Sequence, residues 1–232
     1  MRGVSIIVPA RNEQDTIKQT LEGIFSKITF KNFEVIIVND NSTDRTFETA
    51  TGFKNKYKNL KVINNEKKGF GTALMTGFKN AGYDYVVPVM ADLCDEVSDI
   101  NKMFELTKDY DIICGSRYMK AGKVVLAVPF KGNVSKFTGL LFNRIIGLPT
   151  KDATNAFKMY KKEIFDKIKI DNDNFSISLE IPVKAYFAGY KITEIPTKWT
   201  GRKVGKSKFK FLNQAPKYFS IFMWALKKKL KM

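Results

Sequence analysis

The sequence predicts an α/β protein, with a mostly parallel sheet carrying helices on both faces. Three observations carry this. Short runs of β-branched and apolar residues recur along the first half, at Val4–Pro9, Glu34–Asn39, Leu60–Asn64, from Val86 onward, and Asp111–Cys114. Between them lie segments whose apolar residues are spaced as on a helix, and strand–helix alternation builds parallel sheets. Each strand-like run then breaks into a polar, glycine-containing or acidic stretch, as expected at the carboxyl edge of such a sheet, where ligands bind.

In order, VSIIVP (4–9) reads as a first buried strand, and Ala10-Arg11-Asn12-Glu13 follows it. Asn12 suits a helix N-cap, with Glu13 and Asp15 in a first turn where the helix dipole favours carboxylates. Ile17, Leu21, Ile24, Phe25 and Ile28 continue at helical spacing. EVIIVN (34–39) is a second strand, followed by the capping-rich turn Asp40-Asn41-Ser42-Thr43-Asp44 and a helix with Phe47, Ala50, Phe53 and Tyr57 inward. Leu60–Asn64 is a third strand, and the basic glycine loop Lys67-Lys68-Gly69-Phe70-Gly71 leads into a helix to about Ala81. The fourth strand opens at Val86 and ends abruptly in Asp92, Asp95 and Glu96. Ser98 caps a helix carrying Ile100, Met103 and Phe104. DIIC (111–114) is a fifth strand and ends in Gly115-Ser116-Arg117-Tyr118.

Beyond Gly122 the pattern changes. Val134, Phe137, Leu141 and Ile145 line one face of a helix, and Asp152–Phe157 follows a proline-containing turn. Residues 176–189 read as a helix containing Glu180, and KITEIP (191–196) as a strand. A basic loop from Trp199 to Lys208 precedes an apolar segment ending in lysines. The division expected is a single domain over residues 1–210 and a helical apolar/basic tail over 211–232.

Composition narrows function. Forty Lys plus Arg against 23 Asp plus Glu give +17, which calls for an anionic partner: nucleic acid, an anionic membrane surface or a phosphorylated substrate. No helix-turn-helix, OB or RNA-recognition pattern is present, so nucleic acid is not expected. There is no histidine, which excludes His-based triads and His metal ligands. Two cysteines, Cys94 and Cys114, do not make a disulfide framework and point to a reducing compartment. No signal peptide is read at the start, and no uncharged apolar run approaches the roughly 20 residues that span a bilayer.

A Walker A loop is absent. Gly69-Phe70-Gly71-Thr72-Ala73-Leu74 begins like a dinucleotide fingerprint, but Leu74 replaces the third small residue and the loop follows the third strand rather than the first. What remains is a set of loops at successive strand ends, at 9–13, 40–44, 67–71 and 92–96. Brought to one edge, they offer acceptors for a base and ribose, donors for phosphates and carboxylates for a metal. Pro9-Ala10-Arg11-Asn12-Glu13, Asn39–Asp44, Lys68–Gly71, Ala91-Asp92-Leu93, Gly115-Ser116-Arg117, Asp152–Phe157 and Arg202–Lys208 together, in this order, resemble the family 2 glycosyltransferases of GT-A fold, in the dolichol-phosphate mannose synthase-like branch.

The resemblance implies a single Rossmann-like GT-A domain and a role for each matching residue. Pro9, Arg11, Glu13, Asp40 and Gly69 fall on the donor-binding side. Asp92 falls on the second carboxylate of the family's Asp-x-Asp metal motif, for Mg2+ or Mn2+, with Asp95 as a second ligand. Arg117, Arg202 and Lys208 fall where diphosphate or acceptor phosphate is met, and Asp152 opens the motif near the reacting groups. The implied reaction is inverting transfer of a hexose, mannose foremost, from a nucleoside-diphosphate sugar, with GDP-mannose favoured, to a polyprenyl or dolichyl phosphate. Negative charge growing on the leaving diphosphate calls for a divalent ion and for guanidinium forks. A lipid phosphate is already ionised and needs no strong base, whereas a sugar hydroxyl would need one, and Asp152 is then the candidate.

One departure stands out: Met90 occupies the first Asp of that motif, and a thioether binds hard cations poorly. Asp95 or Glu96 completes the coordination, or the metal is weakly held, or catalysis is lost. The alternatives are therefore a UDP-sugar-dependent transferase with another acceptor, or a non-catalytic sugar-nucleotide-binding relative. Asp44 reads equally as a helix N-terminal residue; Asp152 has a second reading as a turn cap and Arg117 as a surface arginine, and Cys94 reads as a small buried hydrophobe rather than a nucleophile. Tyr218 to Leu226, flanked by Lys217 and Lys227 with Pro216 placed to open a helix, reads either as a terminal helix packed on the body or as an interfacial anchor. The second reading places the protein in the cytoplasm, peripheral at the inner face of an anionic membrane.

Overall fold

The computed structural model describes residues 1–92, 94–125, 129–202 and 211–231, with residues 129–132 and 211–213 described by backbone alone. Its strands are β1 Val4–Ala10, β2 Phe33–Asn39, β3 Leu60–Asn64, β4 Tyr85–Pro88, β5 Ile112–Ser116, β6 Lys123–Val125, β7 Lys158–Lys161, β8 Ile192–Pro196 and β9 Lys198–Thr200. The helices are α1 Ile17–Lys27, α2 Thr46–Gly52, α3 Phe70–Lys79, α4 Asp99–Leu106, α5 Pro129–Leu141, α6 Ile164–Lys167, α7 Ile177–Phe187 and α8 Phe211–Lys229. Seven strands form one sheet in the order β3-β2-β1-β4-β7-β5-β8, and β6 pairs with β9 in a small second sheet. In the large sheet every pair is parallel except those of β7, which runs antiparallel to both β4 and β5.

The apolar strand runs follow from burial on both faces. Side chains alternate across a strand, so Val4, Ile6 and Val8 of β1 enter one core while Ile7 enters the other. The first core is completed by Ile17, Leu21 and Ile24 of α1 and by Ile100 and Met103 of α4. The second takes Leu74 and Phe78 of α3, Ile181 and Val183 of α7, and Tyr218, Ile221 and Ala225 of α8. The expected class, a mostly parallel sheet between two helical layers, is what forms.

Several local expectations change. Asn12 does not cap α1, whose first residue is Ile17. It takes a positive φ of 51°, a conformation Asn tolerates better than most residues, and its side-chain oxygen accepts the Thr43 amide at 2.8 Å. β4 stops at Pro88, which has no amide hydrogen to donate. α5 runs into a π turn, Phe142–Ile146, which shifts the helical register by one residue. Phe142 and Ile146 therefore face the core, while Phe137 and Ile145 are exposed, at 67% and 40%. Pro216 lies inside α8 rather than at its start. It forfeits one backbone bond near the helix start, and the packing of Tyr218, Ile221 and Ala225 outweighs that loss.

β7 was not legible in the sequence. It is four residues long, with lysines at both ends, and its partners lie some distance away along the chain. Lys158 is nevertheless fully buried. Its ammonium donates to the carbonyls of Ala153 (2.9 Å) and Ser178 (3.3 Å) and also to that of Asn155. This pins the loop entering β7 onto the start of α7. Burial lowers the Lys158 pKa to about 8, with Cys114 and Asp152 opposing the shift and Arg117 adding to it.

Two outcomes follow from this packing. A methyl group at Gly77 of α3 would collide with Ile7 Cγ2 and stand 3.2 Å from Val38 Cγ2. Despite the better helix propensity of alanine, Gly77→Ala lowers the unfolding free energy by about 1–3 kcal/mol, read from the urea midpoint. An unchanged midpoint refutes the close approach. For Lys158, the folded pKa of about 8 lies below the ordinary 10.5, so between these values the unfolded chain binds more protons and stability rises with pH. The stability of wild type minus that of Lys158→Met therefore climbs across this window and is flat below it. A difference that is flat or falling throughout contradicts a buried ammonium.

Candidate active site

The parallel strands deliver the loops after β1, β2, β3, β4 and β5 to one edge of the sheet. Because β7 is antiparallel, the loop that precedes it, residues 150–157, arrives at that same edge. The stretch after β9 reaches it too, since Thr200 donates to Cys94 O and Gly201 to Val125 O. Residues from 11 to 202 thus meet in one cleft.

At the outer end Asp40 is buried and organises the loops around it. Its amide donates to Ala10 O at 2.8 Å, and its Oδ1 accepts from Gly69 N (2.8 Å) and Asn65 Nδ2 (2.9 Å). Asn65 also donates to Lys67 O and Thr72 Oγ1 and accepts from Thr76 Oγ1. The amide of Gly69 is thereby engaged within the protein. A Cβ on Gly69 would lie 3.1 Å from Thr72 Oγ1, and one on Gly71 would lie 2.7 Å from Asp173 O, so both glycines admit close backbone contacts. Asn65, Thr72 and Thr76 were missed in the sequence; the only signal was a polar pair, Asn64-Asn65, directly after a strand. Pro9 is buried within β1, Arg11 is half-buried, and Glu13 is buried. Asp44 accepts the amides of Thr46 and Gln14, as a helix N-terminal residue does.

In the middle of the cleft Arg202 joins two acids. Its Nη2 lies 2.9 Å from Glu13 Oε1 and 3.3 Å from Asp92 Oδ2, and its Nε lies 3.4 Å from the same Asp92 oxygen. Burial would lower the Arg202 pKa, but Glu13 and Asp92 outweigh it and raise the value. Asp95 accepts the Met90 amide at 3.4 Å. Its carboxyl is pushed up to about 7, first by burial and then by the charge of Asp92. Glu96 is held by Lys27 (2.8 Å) and Ser98 (2.9 Å), so of the two carboxylates considered beside Asp92, Asp95 is the one left in the cleft. Cys94 is buried, and burial together with Asp92 raises its thiol pKa further, as for an inert hydrophobe.

At the inner end Arg117 and Asp152 form a bidentate pair: Nε to Oδ2 at 2.7 Å and Nη2 to Oδ1 at 2.8 Å, with Arg117 N donating to Oδ2 at 3.0 Å. Arg117 Nη2 also donates to Ser135 Oγ at 2.9 Å, and that hydroxyl lies 2.7 Å from Thr154 Oγ1. The guanidinium lies 5.2 Å from the Tyr118 ring centroid and 6.0 Å from that of Trp199. Asp152 is fully buried with both oxygens engaged, so the carboxylate base considered for a hydroxyl acceptor is not poised here. It fixes Arg117 instead, and Arg117 is not a surface arginine. Lys208 lies outside the described residues. Glu180 is buried, salt-bridged to Lys184 at 2.6 Å, and accepts the amides of Asp171 and Asn172.

Among the described residues no group of three metal-ligating side chains occurs. The donor set nevertheless fits a hard divalent ion. Asp92 and Asp95 offer carboxylate oxygens close enough for Asp92 to raise the pKa of Asp95, and one or two carboxylates completed by phosphate oxygens and water are the usual holding of Mg2+.

Comparison with known proteins gives the family. The family model described as Glycosyl transferase family 2 matches residues 5–169. A dolichol-phosphate mannosyltransferase of Pyrococcus furiosus is 34% identical over 213 residues, covering 89% of this chain and 59% of that protein. This chain therefore spans somewhat over half of that relative's length. An undecaprenyl-phosphate mannosyltransferase of Micrococcus luteus is 26% identical, covering 88% and 86% of the two chains. The fold is shared with glucosyl-3-phosphoglycerate synthase of Mycobacterium tuberculosis (TM-score 0.71, 13% identity, 98% and 80% covered). It is also shared with residues 1–349 of S. aureus TarS (TM-score 0.67, 23% identity, 97% and 65% covered). The chain belongs to glycosyltransferase family 2.

Proposed function

We propose that this protein transfers a hexose, mannose foremost, from a nucleoside-diphosphate sugar to a polyprenyl phosphate, with inversion at the sugar. The observation that carries this reading is the state of Asp152. The acid at the inner end of the cleft is committed to Arg117, and the chain has no histidine. An acceptor that must lose a proton finds Asp152 already committed, whereas a phosphate monoester brings an ionised oxygen and needs only a cationic seat. Arg117, held from both sides by Asp152 and Ser135, is such a seat. The similarity to mannosyltransferases acting on dolichol phosphate and undecaprenyl phosphate supports the same acceptor class and mannose as the sugar.

The roles follow the cleft from end to end. Asp40 and Glu13 orient the nucleoside, and Pro9, Arg11 and Gly69 shape its seat. Asp92 and Asp95 would hold Mg2+ or Mn2+, which would offset the charge developing on the leaving diphosphate. Arg202 and Lys208 grip that diphosphate. Arg117 orients the acceptor phosphate so that its oxygen attacks the anomeric carbon opposite the leaving group. A second reading, a donor-binding protein without transfer, has Met90 behind it; it forecasts donor binding with no product.

The acceptor class implies a membrane surface. No described helix is long and apolar enough to cross a bilayer. α8 packs one face on the body and exposes Phe219 (66%) and Met223 (46%), one helical turn apart. Phe137 and Ile145 are also exposed, and Lys229 Nζ donates to Ile145 O at 2.6 Å, tying the lysine-rich end of α8 to the π turn. Apolar side chains with lysines nearby suit an anionic interface, worth about 1 kcal/mol per basic residue near the surface. This fits a protein peripheral at the inner face of the cytoplasmic membrane.

Three measurements test these assignments. In a transfer assay with GDP-mannose and a polyprenyl phosphate, Asp92→Ala abolishes product. Arg117→Ala lowers turnover by about 10²–10³, as for loss of one preorganised charge-stabilising donor. Wild-type turnover in Arg117→Ala refutes its place at the acceptor. Arg202→Lys stays close to Arg202→Ala, because an ammonium lacks the fork, and wild-type rates in both variants remove Arg202 from the diphosphate. Changing Phe137, Phe219 and Met223 together to Ser weakens sedimentation with anionic liposomes several-fold and leaves GDP binding unchanged. A wild-type protein that ignores such liposomes at low salt refutes the peripheral assignment.

A further inference from the structure

Arg202 stands between two carboxylates that the chain brings from widely separated places: Glu13 after β1 and Asp92 after β4. All three side chains are largely shielded from water, with Arg202 and Asp92 each 15% exposed. A buried carboxylate left unpaired is costly, and this one guanidinium bridges both loops. Asp92 Oδ2 accepts from both Nε and Nη2 of Arg202. A divalent ion placed there meets an oxygen already occupied and a positive charge within a few ångströms. Met90, two residues earlier, adds no hard ligand to tip the balance.

We propose that Arg202 is the resident counter-cation of the donor cleft, and that the divalent ion enters with the nucleoside diphosphate rather than before it. This rests on the reading of the cleft as a metal-assisted sugar-nucleotide site. The diphosphate changes both sides of the competition. It adds hard oxygens to complete the metal's shell around Asp92 and Asp95, and it presents Arg202 with a phosphate that its fork matches better than two separate carboxylates. Arg202 leaves Asp92 for the diphosphate, and the metal takes the vacated oxygen. Metal and diphosphate binding are then strongly coupled, and by linkage each strengthens the other equally. The single missing carboxylate at residue 90 is thereby offset by making the metal site depend on the substrate.

The test is Mn2+ binding, read from the electron paramagnetic resonance of free Mn2+, with and without GDP. Wild type binds Mn2+ alone weakly and binds it about 10-fold or more tightly once GDP is present, within the usual range of such couplings. Arg202→Gln binds Mn2+ alone about 10-fold tighter than wild type and loses most of the coupling to GDP. Arg202→Gln binding Mn2+ alone no better than wild type, while wild type still forms the ternary complex, overturns the counter-cation and leaves the transferase reading standing. Failure of wild type to bind Mn2+ with either GDP or UDP overturns both. A second measurement needs no loss of the guanidinium in the protein examined. The Arg202 Nε–H nuclear magnetic resonance signal of wild type, assigned by its disappearance in Arg202→Lys, shifts on adding Mg2+ with GDP and stays in place with Mg2+ alone. A shift with Mg2+ alone overturns the proposal.

Discussion

The site depends on one constraint of the sheet: β7 runs against its neighbours. Its register pairs Tyr160 with both Val86 and Ile112, so it sits between β4 and β5 and joins the two halves of the chain. Were it parallel, the loop carrying Asp152 would emerge at the opposite edge and Arg117 would face water with no acid behind it. Reversal sends residues 150–157 to the edge already occupied by the donor loops. Lys158 then secures this arrangement, since its buried ammonium binds carbonyls of that loop and of the start of α7 together.

Electrostatics at this edge follows a consistent rule. The chain carries a large positive excess, yet the cleft is built around acids, and the two buried acids most central to it are each met by an arginine: Glu13 by Arg202 and Asp152 by Arg117. The two pairs differ in kind. Arg117 meets a fully buried partner through two side-chain bonds and a backbone bond, a geometry that holds the guanidinium in place. Arg202 is divided between two acids at longer range, a geometry that releases more readily. A fixed arginine suits the seat of an acceptor phosphate, and a divided one suits a group that changes partner during binding.

Met90 acquires a physical meaning in this setting. With a second aspartate at residue 90 the site would hold a metal more strongly in the absence of substrate. With a methionine there, the described carboxylates beside it are Asp92, shared with Arg202, and Asp95, which accepts the Met90 amide. On the proposed exchange, such a site favours a cation bound to diphosphate over a bare cation. On the proposed function, the exposed apolar residues of α8 and of the helix ending in the π turn would offer a surface to a lipid-borne acceptor.

Much of this was legible in the sequence because it depends on local order. Strand and helix alternation, the acidic and basic loops at strand ends and the ordered set of motifs are all properties of contiguous residues, and they specify the fold class, the donor edge and the identities of Glu13, Asp40, Asp92, Arg117 and Arg202. What the sequence could not convey depends on distance along the chain. Asn65 reads as one polar residue after a strand until Asp40 and Gly69 close around it. Lys158 reads as a surface lysine until β4 and β5 enclose it. Asp152 reads as an available acid until Arg117, thirty-five residues earlier, takes both its oxygens. The π turn that moves Phe142 rather than Leu141 into the core has no periodic signature at all. By itself the sequence determined which chemistry the cleft can offer, because side-chain type is local. Only the tertiary structure decided which of those groups are engaged by one another, because pairing is set by strand order and register.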